Sequence, residues 1–323
     1  MGGHFVRSPL NPILPAVPHS WMESQTANPD LLRVGNAYHL YFRGQRGGHD
    51  RIGVATIPLG EFDGATWHVH PEPVIDIGTQ GDWDEEHVLD PASVLVNGQI
   101  YLYSSAVCPR SHRSICLATS ADGFHFTKHS CEPVVIGGGP EIVWRDGRFY
   151  LYYWKEVPGN TGFQLHLSIS NDGYNFQEAQ AGPVLALGAK GEWDSRTVET
   201  PRIFLEDGCY YMLYCGSDRF SDYPAGAGLA TSTDLVHWRK YEGNPVFTRG
   251  GKGAWDEGAI WFTTVEKING KYFLWYEGYG GGDSRDIEYG SYLQGARSQI
   301  GLATLEAEYF FVQAHADRVN DAG

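Results

Sequence analysis

The residues that could carry chemistry are five carboxylates that recur at similar places along the chain. They are Asp30, Asp90, Glu141, Glu199 and Glu257. Acidic side chains that face one another raise each other's pKa, so a retained cluster of this kind is typical of proton transfer or ligand binding. Cleavage of a glycosidic bond uses two such groups, one protonated to donate to the leaving oxygen and one ionised to activate water or attack the sugar. A single acidic residue near a turn is more often a solvated or capping group, so it is the recurrence that favours a site.

Other residues near these carboxylates could hold a substrate. Trp261 could offer the flat apolar surface on which a sugar ring stacks. Polar and cationic candidates for substrate contacts are Asn28, Arg43, His87 and Arg202. Three further tryptophans recur in a Gly-x-Trp-Asp phrase, and we expect them to pack between sheets instead. These are Trp83, Trp193 and Trp255.

The carboxylates are embedded in a sequence pattern that occurs five times. Each copy has a central motif, a turn, an aromatic strand, a strand of small residues and a final turn. Prolines at 29, 91, 140 and 201, with Ala259 in the last copy, place the repeats roughly 50 to 60 residues apart, which in a β-rich chain indicates a propeller. The aromatic stretch Tyr150-Leu151-Tyr152-Tyr153-Trp154 has large side chains on both faces, as expected where sheets stack against neighbouring sheets. No segment has sustained helical periodicity.

The pattern predicts an all-β fold, a five-bladed β-propeller with four-stranded antiparallel blades around a central channel. We expect one catalytic domain over residues 1–323, with blades at about 20–80, 81–136, 137–190, 191–250 and 251–312. The phrase Asn11-Pro12-Ile13-Leu14 resembles Asn244-Pro245-Val246-Phe247, which ends the fourth repeat. Residues 8–16 are therefore predicted to supply the outer strand of the last blade and close the ring. The alternative is a surface turn in an ordered tail.

Composition limits the partners. The net charge of −15 would repel nucleic acid and acidic membranes, whereas a neutral carbohydrate is not penalised. Five cysteines argue against a complete disulfide framework. No apolar run approaches a membrane span, and the first residues lack a secretory pattern, so a cytoplasmic protein is expected, although a chain trimmed of its signal would look the same. The sequence does not indicate an oligomeric state.

The repeated motifs resemble those of the five-bladed β-propeller glycoside hydrolases of families 43, 32, 68 and 130. The resemblance runs from residue 10 to about residue 312 and includes Glu199-Thr200-Pro201, the Asp-Gly and Asn-Gly turns and the aromatic strands after them. It implies a glycosidase that acts on arabinosides, xylosides, fructosides or mannosides, with inversion favoured and no cofactor required.

The families imply different residue roles. In families 43 and 32 a Glu-x-Pro in the fourth blade carries the general acid, and Glu199 matches that position. Those families also have an Asp before the prolines of the first and third blades. In this sequence Asn28 and Gly139 stand at these two places. Family 130 has Asn-Pro in the first blade, an Arg that ends the next strand, as at Arg43, and a proton-donating Asp before the second-blade proline, as at Asp90. Asp90 and Glu199 are therefore the leading candidates, with Asp30, Glu141 and Glu257 in base, pKa-tuning or hydroxyl-binding roles.

Several alternatives stay open from the sequence. A phosphorylase or transglycosylase of the same fold would need cationic groups around an acceptor phosphate, and Arg43 with Arg202 could provide them. A carbohydrate-binding propeller without catalysis is a third possibility. No metal site is predicted from histidine spacing, although a structural Ca²⁺ or Na⁺ in the acidic channel is compatible with oxygen ligands.

Overall fold

The computed structural model describes residues 4–130, 132–159, 162–219, 222–281 and 295–306. Residues 282–294 and the fifth cysteine, Cys131, lie outside these ranges. Within them, the chain forms five small antiparallel sheets and a single short 3₁₀ turn, Leu59–Glu61. The prediction of a five-bladed β-propeller with almost no helix is confirmed.

Each blade begins with the strand that lines the central channel. After β1 (Val6–Arg7), the first blade contains β2 (Gln25–Val34), β3 (Ala37–Arg46), β4 (His49–Pro58) and β5 (His68–Val69). The second contains β6 (His87–Val96), β7 (Gln99–Cys108), β8 (Ser111–Ser120), β9 (Thr127–Lys128) and β10 (Val135–Ile136). The third contains β11 (Gly138–Arg145), β12 (Arg148–Glu156), β13 (Phe163–Ser170) and β14 (Gln177–Glu178).

The last two blades repeat this order. The fourth contains β15 (Thr197–Glu206), β16 (Cys209–Ser217), β17 (Gly226–Ser232), β18 (Arg239–Lys240) and β19 (Phe247–Thr248). The fifth contains β20 (Ala259–Ile268), β21 (Lys271–Gly280) and β22 (Arg297–Glu306), and β1 pairs with β22 as its outer strand. The predicted closure of the ring by the N-terminal segment is therefore confirmed.

The closing segment repeats the hydrogen bonds of the fourth blade. Asn11 uses its side-chain amide to bind the backbone N–H and carbonyl of Leu302, as Asn244 does with Leu229. The strand itself lies a few residues before the predicted phrase, at Val6–Arg7, and Leu14 makes a further bridge to Ile300.

The hydrophobic core is divided into clusters between neighbouring blades. Tyr152 packs towards the fourth blade, whereas Leu151 and Tyr153 pack towards the second. This alternation explains why the aromatic strand is apolar on both faces, because each side is covered by a different blade.

An ion pair holds the closing strand in place. Arg7 Nε lies 2.7 Å from Asp256 Oδ2, whose side chain is fully buried, and the guanidinium lies 4.5 Å from the ring centre of Phe247. We expect Arg7→Ala to lower the free energy of unfolding by about 2 to 3 kcal/mol, since it leaves a buried carboxylate without its cation. Chemical denaturation measures this. The matched control is Arg46→Ala, because Arg46 is mostly exposed and lies 4.0 Å from Glu23; equal stability of the two variants would contradict the prediction.

Candidate active site

A bulge in every inner strand turns side chains towards the channel. At each bulge one residue has a left-handed backbone, with φ of 52° at Asn28, 55° at Asp90, 56° at Gly139, 47° at Thr200 and 49° at Phe262. The register between first and second strands shifts at the same places. Bulges re-aim side chains and are common beside active sites. A left-handed backbone is costly for residues such as Thr and Phe.

One cavity of about 470 Å³ lies at the end of the channel where the inner strands begin. Five of the predicted residues line it: Asn28, Arg43, Asp90, Glu199 and Trp261. The structure thus brings together the two leading carboxylates and three of the predicted substrate contacts.

The other two channel carboxylates lie in a different place. Asp30 and Glu141, with Arg202, line a second cavity of about 600 Å³. This cavity also includes Glu206 and Asp207 at a hairpin turn, so it opens at the opposite end of the channel. The prediction that five carboxylates converge on one opening is therefore wrong, because residues after the bulge lie deeper along the strand than residues at the bulge.

Arg202 lines the 600 Å³ cavity and connects the inner strands. Its guanidinium donates to the carbonyl oxygens of Pro91, at 2.9 Å, and Pro140, at 2.9 Å, and lies 3.2 Å from Glu141 Oε2. It also donates to Thr264 Oγ1, which in turn donates to the carbonyl of Pro29. Arg202 is buried and does not line the 470 Å³ cavity. Its contacts are structural, contrary to its prediction as a substrate contact.

Glu257 lies in a turn outside both cavities. Its Oε2 accepts a hydrogen bond of 2.5 Å from the backbone N–H of Gly253, as Glu85 does for Gly81. The prediction placed the fifth-blade motif at Ala259, but the bulge lies at Phe262, three residues later. The register was misjudged because Thr263 stands where the other blades have proline, and the prediction of Glu257 as a channel carboxylate is wrong.

His87 also lies outside the cavity, beside a residue that the sequence did not single out. Its Nδ1 is 2.8 Å from Asp50 Oδ2, and Asp50 Oδ1 is 3.9 Å from Arg43 Nε. His87 therefore contacts Asp50, which lies beside Arg43, and does not itself line the cavity. Its prediction as a substrate contact is not supported.

Sequence reasoning missed two carboxylates of the site. Glu277 follows the aromatic run of β21 and lines the cavity, with Oε1 3.3 Å from Arg43 and Oε2 3.0 Å from the amide nitrogen of Asn28. A signal existed, since Glu277 and Arg43 are the charged residues at matching places of two second strands. Asp222 lies in the loop before β17 and has no periodic signal.

Burial sets the protonation of the two leading carboxylates. It raises the pKa of Asp90 to about 6, although a hydrogen bond from Ser105 and the charges of Arg43 and Arg202 act in the opposite direction. Burial also raises the pKa of Glu199 well above its ordinary value, and the nearby carboxylates add to this effect. Both shifts of pKa favour the protonated form, and Asp90 can exchange its proton near pH 6.

The remaining charges of the cavity form a coupled set. Burial raises the pKa of Glu277 to about 7, against the lowering effect of Arg43. Burial likewise raises the pKa of Asp222, against hydrogen bonds from the Tyr223 backbone and Trp261 Nε1. Arg43 supplies the guanidinium among the described residues of the cavity wall.

Four buried polar atoms of the described residues that line this cavity have no hydrogen-bond partner. They are Asn28 Oδ1, Arg43 Nε, Glu199 Oε1 and Thr200 Oγ1. Buried polar groups are nearly always paired, and an unpaired one costs about 1 to 3 kcal/mol. Unsatisfied donors and acceptors on one cavity indicate a polar ligand that completes them.

Aromatic side chains form two walls of the cavity. Trp261 lies 5.4 Å from Tyr223, measured between ring centres, and Trp154 lies 4.3 Å from Phe163. The second wall was not predicted. It requires glycine at 138, where a Cβ would approach the Trp154 ring to 2.3 Å. By contrast, Trp193 and Trp255 pack against Tyr214 and Tyr276 of their own blades, away from the site.

The described residues contain no group of three or more His, Cys, Asp or Glu that could hold a metal ion. A Ca²⁺ or Na⁺ ion in the channel stays a prediction, and the cation that the structure places beside Asp30 and Glu141 is Arg202. The four cysteines in the described ranges are free thiols. No helix in this part of the chain has the length and apolar character needed to cross a membrane.

Solved structures of similar shape have the same fold. A structure reported as a glycoside hydrolase of family 130 active on β-1,2 mannosidic linkages in Candida mannan has a TM-score of 0.73 and 16% identity, with 96% of each chain covered. A thermostable family-43 glycoside hydrolase has a TM-score of 0.66 and 20% identity, with 89% of this chain and 91% of the other covered. At these TM-scores and identities below 25%, the likeness shows the fold, a five-bladed β-propeller.

Sequence comparisons narrow this class to a family. The model of family 130, described as beta-1,4-mannooligosaccharide phosphorylase, matches residues 124–285. This chain belongs to glycoside hydrolase family 130, a family of glycoside-processing enzymes. A 1,2-beta-oligomannan phosphorylase of Thermoanaerobacter sp. is 36% identical over 144 residues, which are 42% of this chain and 44% of that relative. An uncharacterized protein of Mycobacterium tuberculosis is 25% identical over 309 residues, which cover 88% of this chain and 94% of the relative.

Proposed function

We propose that this chain cleaves β-mannosidic bonds in oligosaccharides, with Asp90 as the proton donor and inorganic phosphate as the acceptor. The proposed cleavage rests on the protonation of Asp90 and on the unpaired polar atoms of the cavity. Because burial raises the pKa of Asp90 to about 6, a fraction of it is protonated near neutral pH, and unpartnered atoms of Asn28, Arg43 and Glu199 surround the space in front of it. A sugar hydroxyl both donates and accepts hydrogen bonds, so a polyhydroxylated ring satisfies such a mixed set.

The chemistry follows from a single protonated carboxyl. Asp90 gives its proton to the glycosidic oxygen as the bond from that oxygen to C1 breaks, which removes the need to expel an alkoxide. The acceptor attacks C1 from the opposite face, so the configuration inverts. Aromatic walls at Trp261 and Trp154 cover the apolar faces of the sugar and limit access of bulk water.

Phosphate as the acceptor is supported by two comparisons and by the protonation of the site. The family description and the Thermoanaerobacter relative both name phosphorylases. Since burial raises the pKa of Glu199 well above its usual value and that of Glu277 to about 7, these side chains repel an anion less than ionised carboxylates would.

Water as the acceptor is the second candidate, and the composition of the cavity wall favours it. Asp90, Glu199, Asp222 and Glu277 face one guanidinium, Arg43, which is already paired with Glu277. Arg202, the second cation that phosphate binding called for, lies elsewhere. Phosphate recognition usually employs several cationic or N–H donors.

The deciding experiment incubates the purified chain with β-1,2- and β-1,4-linked mannobiose, with and without inorganic phosphate. The expected product is mannose 1-phosphate, formed only when phosphate is present. Free mannose at a rate independent of phosphate would establish the hydrolase instead. Asp90→Asn serves as the control for contaminating activities. If neither product forms from mannosides, while arabinosides, xylosides or fructosides are cleaved, the proposed substrate class is overturned.

A further inference from the structure

The guanidinium of Arg43 is held by carboxylates on two sides. Its terminal nitrogen lies 3.3 Å from Glu277 Oε1, and its Nε lies 3.9 Å from Asp50 Oδ1 without a hydrogen-bond partner. Arg43 is on β3 and Glu277 on β21, so this contact joins the first and fifth blades. A long side chain has many rotamers, and fixing it at a site requires such contacts on more than one side.

Asp50 is itself held by two donors, one on each oxygen. Gln45 Nε2 donates to Oδ1 at 3.0 Å, and His87 Nδ1 lies 2.8 Å from Oδ2. The carboxylate is nearly inaccessible, with a side-chain exposure of 6%. Burial on its own would raise the pKa of Asp50, but the charge of Arg43 and the hydrogen bond with His87 hold it below the usual value. The carboxylate is thus ionised and can only accept, so the 2.8 Å contact requires a proton on His87 Nδ1. The backbone N–H of Asp50, 3.3 Å from the same nitrogen, then makes no hydrogen bond to it.

His87 connects this group to the strand of the proposed proton donor. It is the first residue of β6, which carries Asp90 three residues later, whereas Asp50 is on β4 of the first blade. The Asp50–His87 contact therefore spans the junction between two blades whose side chains, Arg43 and Asp90, share the cavity. His87 is mostly buried and lies outside the residues that line the cavity.

We propose that Asp50 and His87 are a positioning pair that fixes the Arg43 guanidinium in the cavity, so that sugar binding depends on a histidine that does not touch the sugar. The part concerning sugar binding rests on the proposed function, and the part concerning Arg43 does not. Loss of the Nδ1–H donor leaves a buried carboxylate short of one partner, and Asp50 then turns away from Arg43.

The chain contains a matched control for His87. His49 lies with its ring centre 6.0 Å from that of His87, but its Nδ1 contacts the backbone carbonyl of Glu86 at 2.8 Å, and it is exposed. The same substitution at either position changes the local surface in a similar way, while only His87 faces Asp50.

The first test labels arginines with phenylglyoxal and measures modification of Arg43 by peptide mass spectrometry, with exposed Arg46 as the internal reference. We expect Asp50→Asn and His87→Leu to accelerate modification of Arg43 about 5-fold or more, because its guanidinium loses an ionic partner. We expect His49→Leu to match the wild type. Asparagine places an amide nitrogen close to the position of Nδ1, so His87→Asn should restore most of the protection. Equal rates in His87→Leu and His49→Leu would overturn the proposal.

The second test separates positioning from a general structural defect. With mannobiose as substrate, His87→Leu should raise KM about 10-fold and change kcat much less, as expected when binding geometry is lost. In the double variant with Asp50→Asn, the two effects should not add, since both act through one contact. Additive effects, or a loss confined to kcat, would contradict the proposal. Inactivity of the wild type on mannosides would refute the proposed function and leave the labelling result to decide the role of the pair.

Discussion

Replacing Asp90 with asparagine is expected to reduce kcat on mannobiose by about 10³-fold, because the variant keeps the shape of the side chain and cannot donate the proton that the leaving oxygen requires. An aryl mannoside with an acidic phenol as leaving group needs less protonation, so the loss on that substrate should be much smaller. The ratio of the two losses, measured by steady-state kinetics, identifies the proton donor more specifically than inactivity alone.

The pH dependence provides an independent check of Asp90. Donation requires the protonated form, and burial raises the pKa of Asp90 to about 6. The wild-type kcat/KM should therefore fall as the pH rises through this value, and Asp90→Asn should lack that limb. If Asp90→Asn keeps the same decrease of kcat/KM with rising pH, another group donates the proton.

Glu199→Gln is the matched comparison within the same cavity. Burial and the neighbouring carboxylates raise the pKa of Glu199 and so favour its protonated form, and a neutral amide of the same shape should therefore reduce kcat by less than about 10-fold. A loss equal to that of Asp90→Asn would instead make Glu199 a proton-transfer group, as its Glu-x-Pro motif suggested.

Replacing Arg202 with leucine is expected to lower the free energy of unfolding by about 3 to 5 kcal/mol, since removal of one partner from a buried ion pair leaves an uncompensated charge and unpaired polar groups. Glu141 would lose its cation, and the carbonyls of Pro91 and Pro140 would lose their donor. The inner strands of several blades meet at this guanidinium, so urea denaturation should report a large decrease of the midpoint.

The control for Arg202 is Arg145→Leu, which removes a half-exposed guanidinium whose ion pair among the described residues is with the adjacent Asp146, at 3.3 Å. Surface pairs of this kind contribute about 1 kcal/mol or less. Arg202→Lys should also destabilise, because an ammonium cannot replace the planar fork of donors. A midpoint for Arg202→Leu within error of that for Arg145→Leu would show that the channel does not depend on this residue.

Much of the architecture could be predicted from the sequence. Repeated turns and aromatic strands predicted five blades, because each blade needs the same alternation to pack against two neighbours. The recurrence of Asn11-Pro12 and Asn244-Pro245 predicted closure of the ring, since the same amide contacts are needed wherever an outer strand joins a blade. The fifth motif was misplaced because Thr263, not a proline, follows its bulge at Phe262.

The sequence also contained a distinction that matters for the site. Asp90 and Glu199 precede the prolines of their motifs, whereas Asp30 and Glu141 follow theirs. A residue two positions further along a strand lies about 6 to 7 Å deeper in the channel. Asp90 and Glu199 therefore line the cavity at one end of the channel, and Asp30 and Glu141 line the cavity at the other end.

The sequence by itself determined the fold class and the ring closure, because these depend on local patterns that every blade repeats, and it led to the prediction of Asp90 and Glu199 as the leading carboxylates. Only the tertiary structure decided which charges share a cavity. Glu277 and Asp222 line the same cavity as Asp90 and Glu199, although these residues come from more than one blade. Arg202 lines the other cavity of the channel. The physical reason is that the depth and direction of each side chain depend on a bulge and on neighbouring blades, and residues far apart in the chain set both.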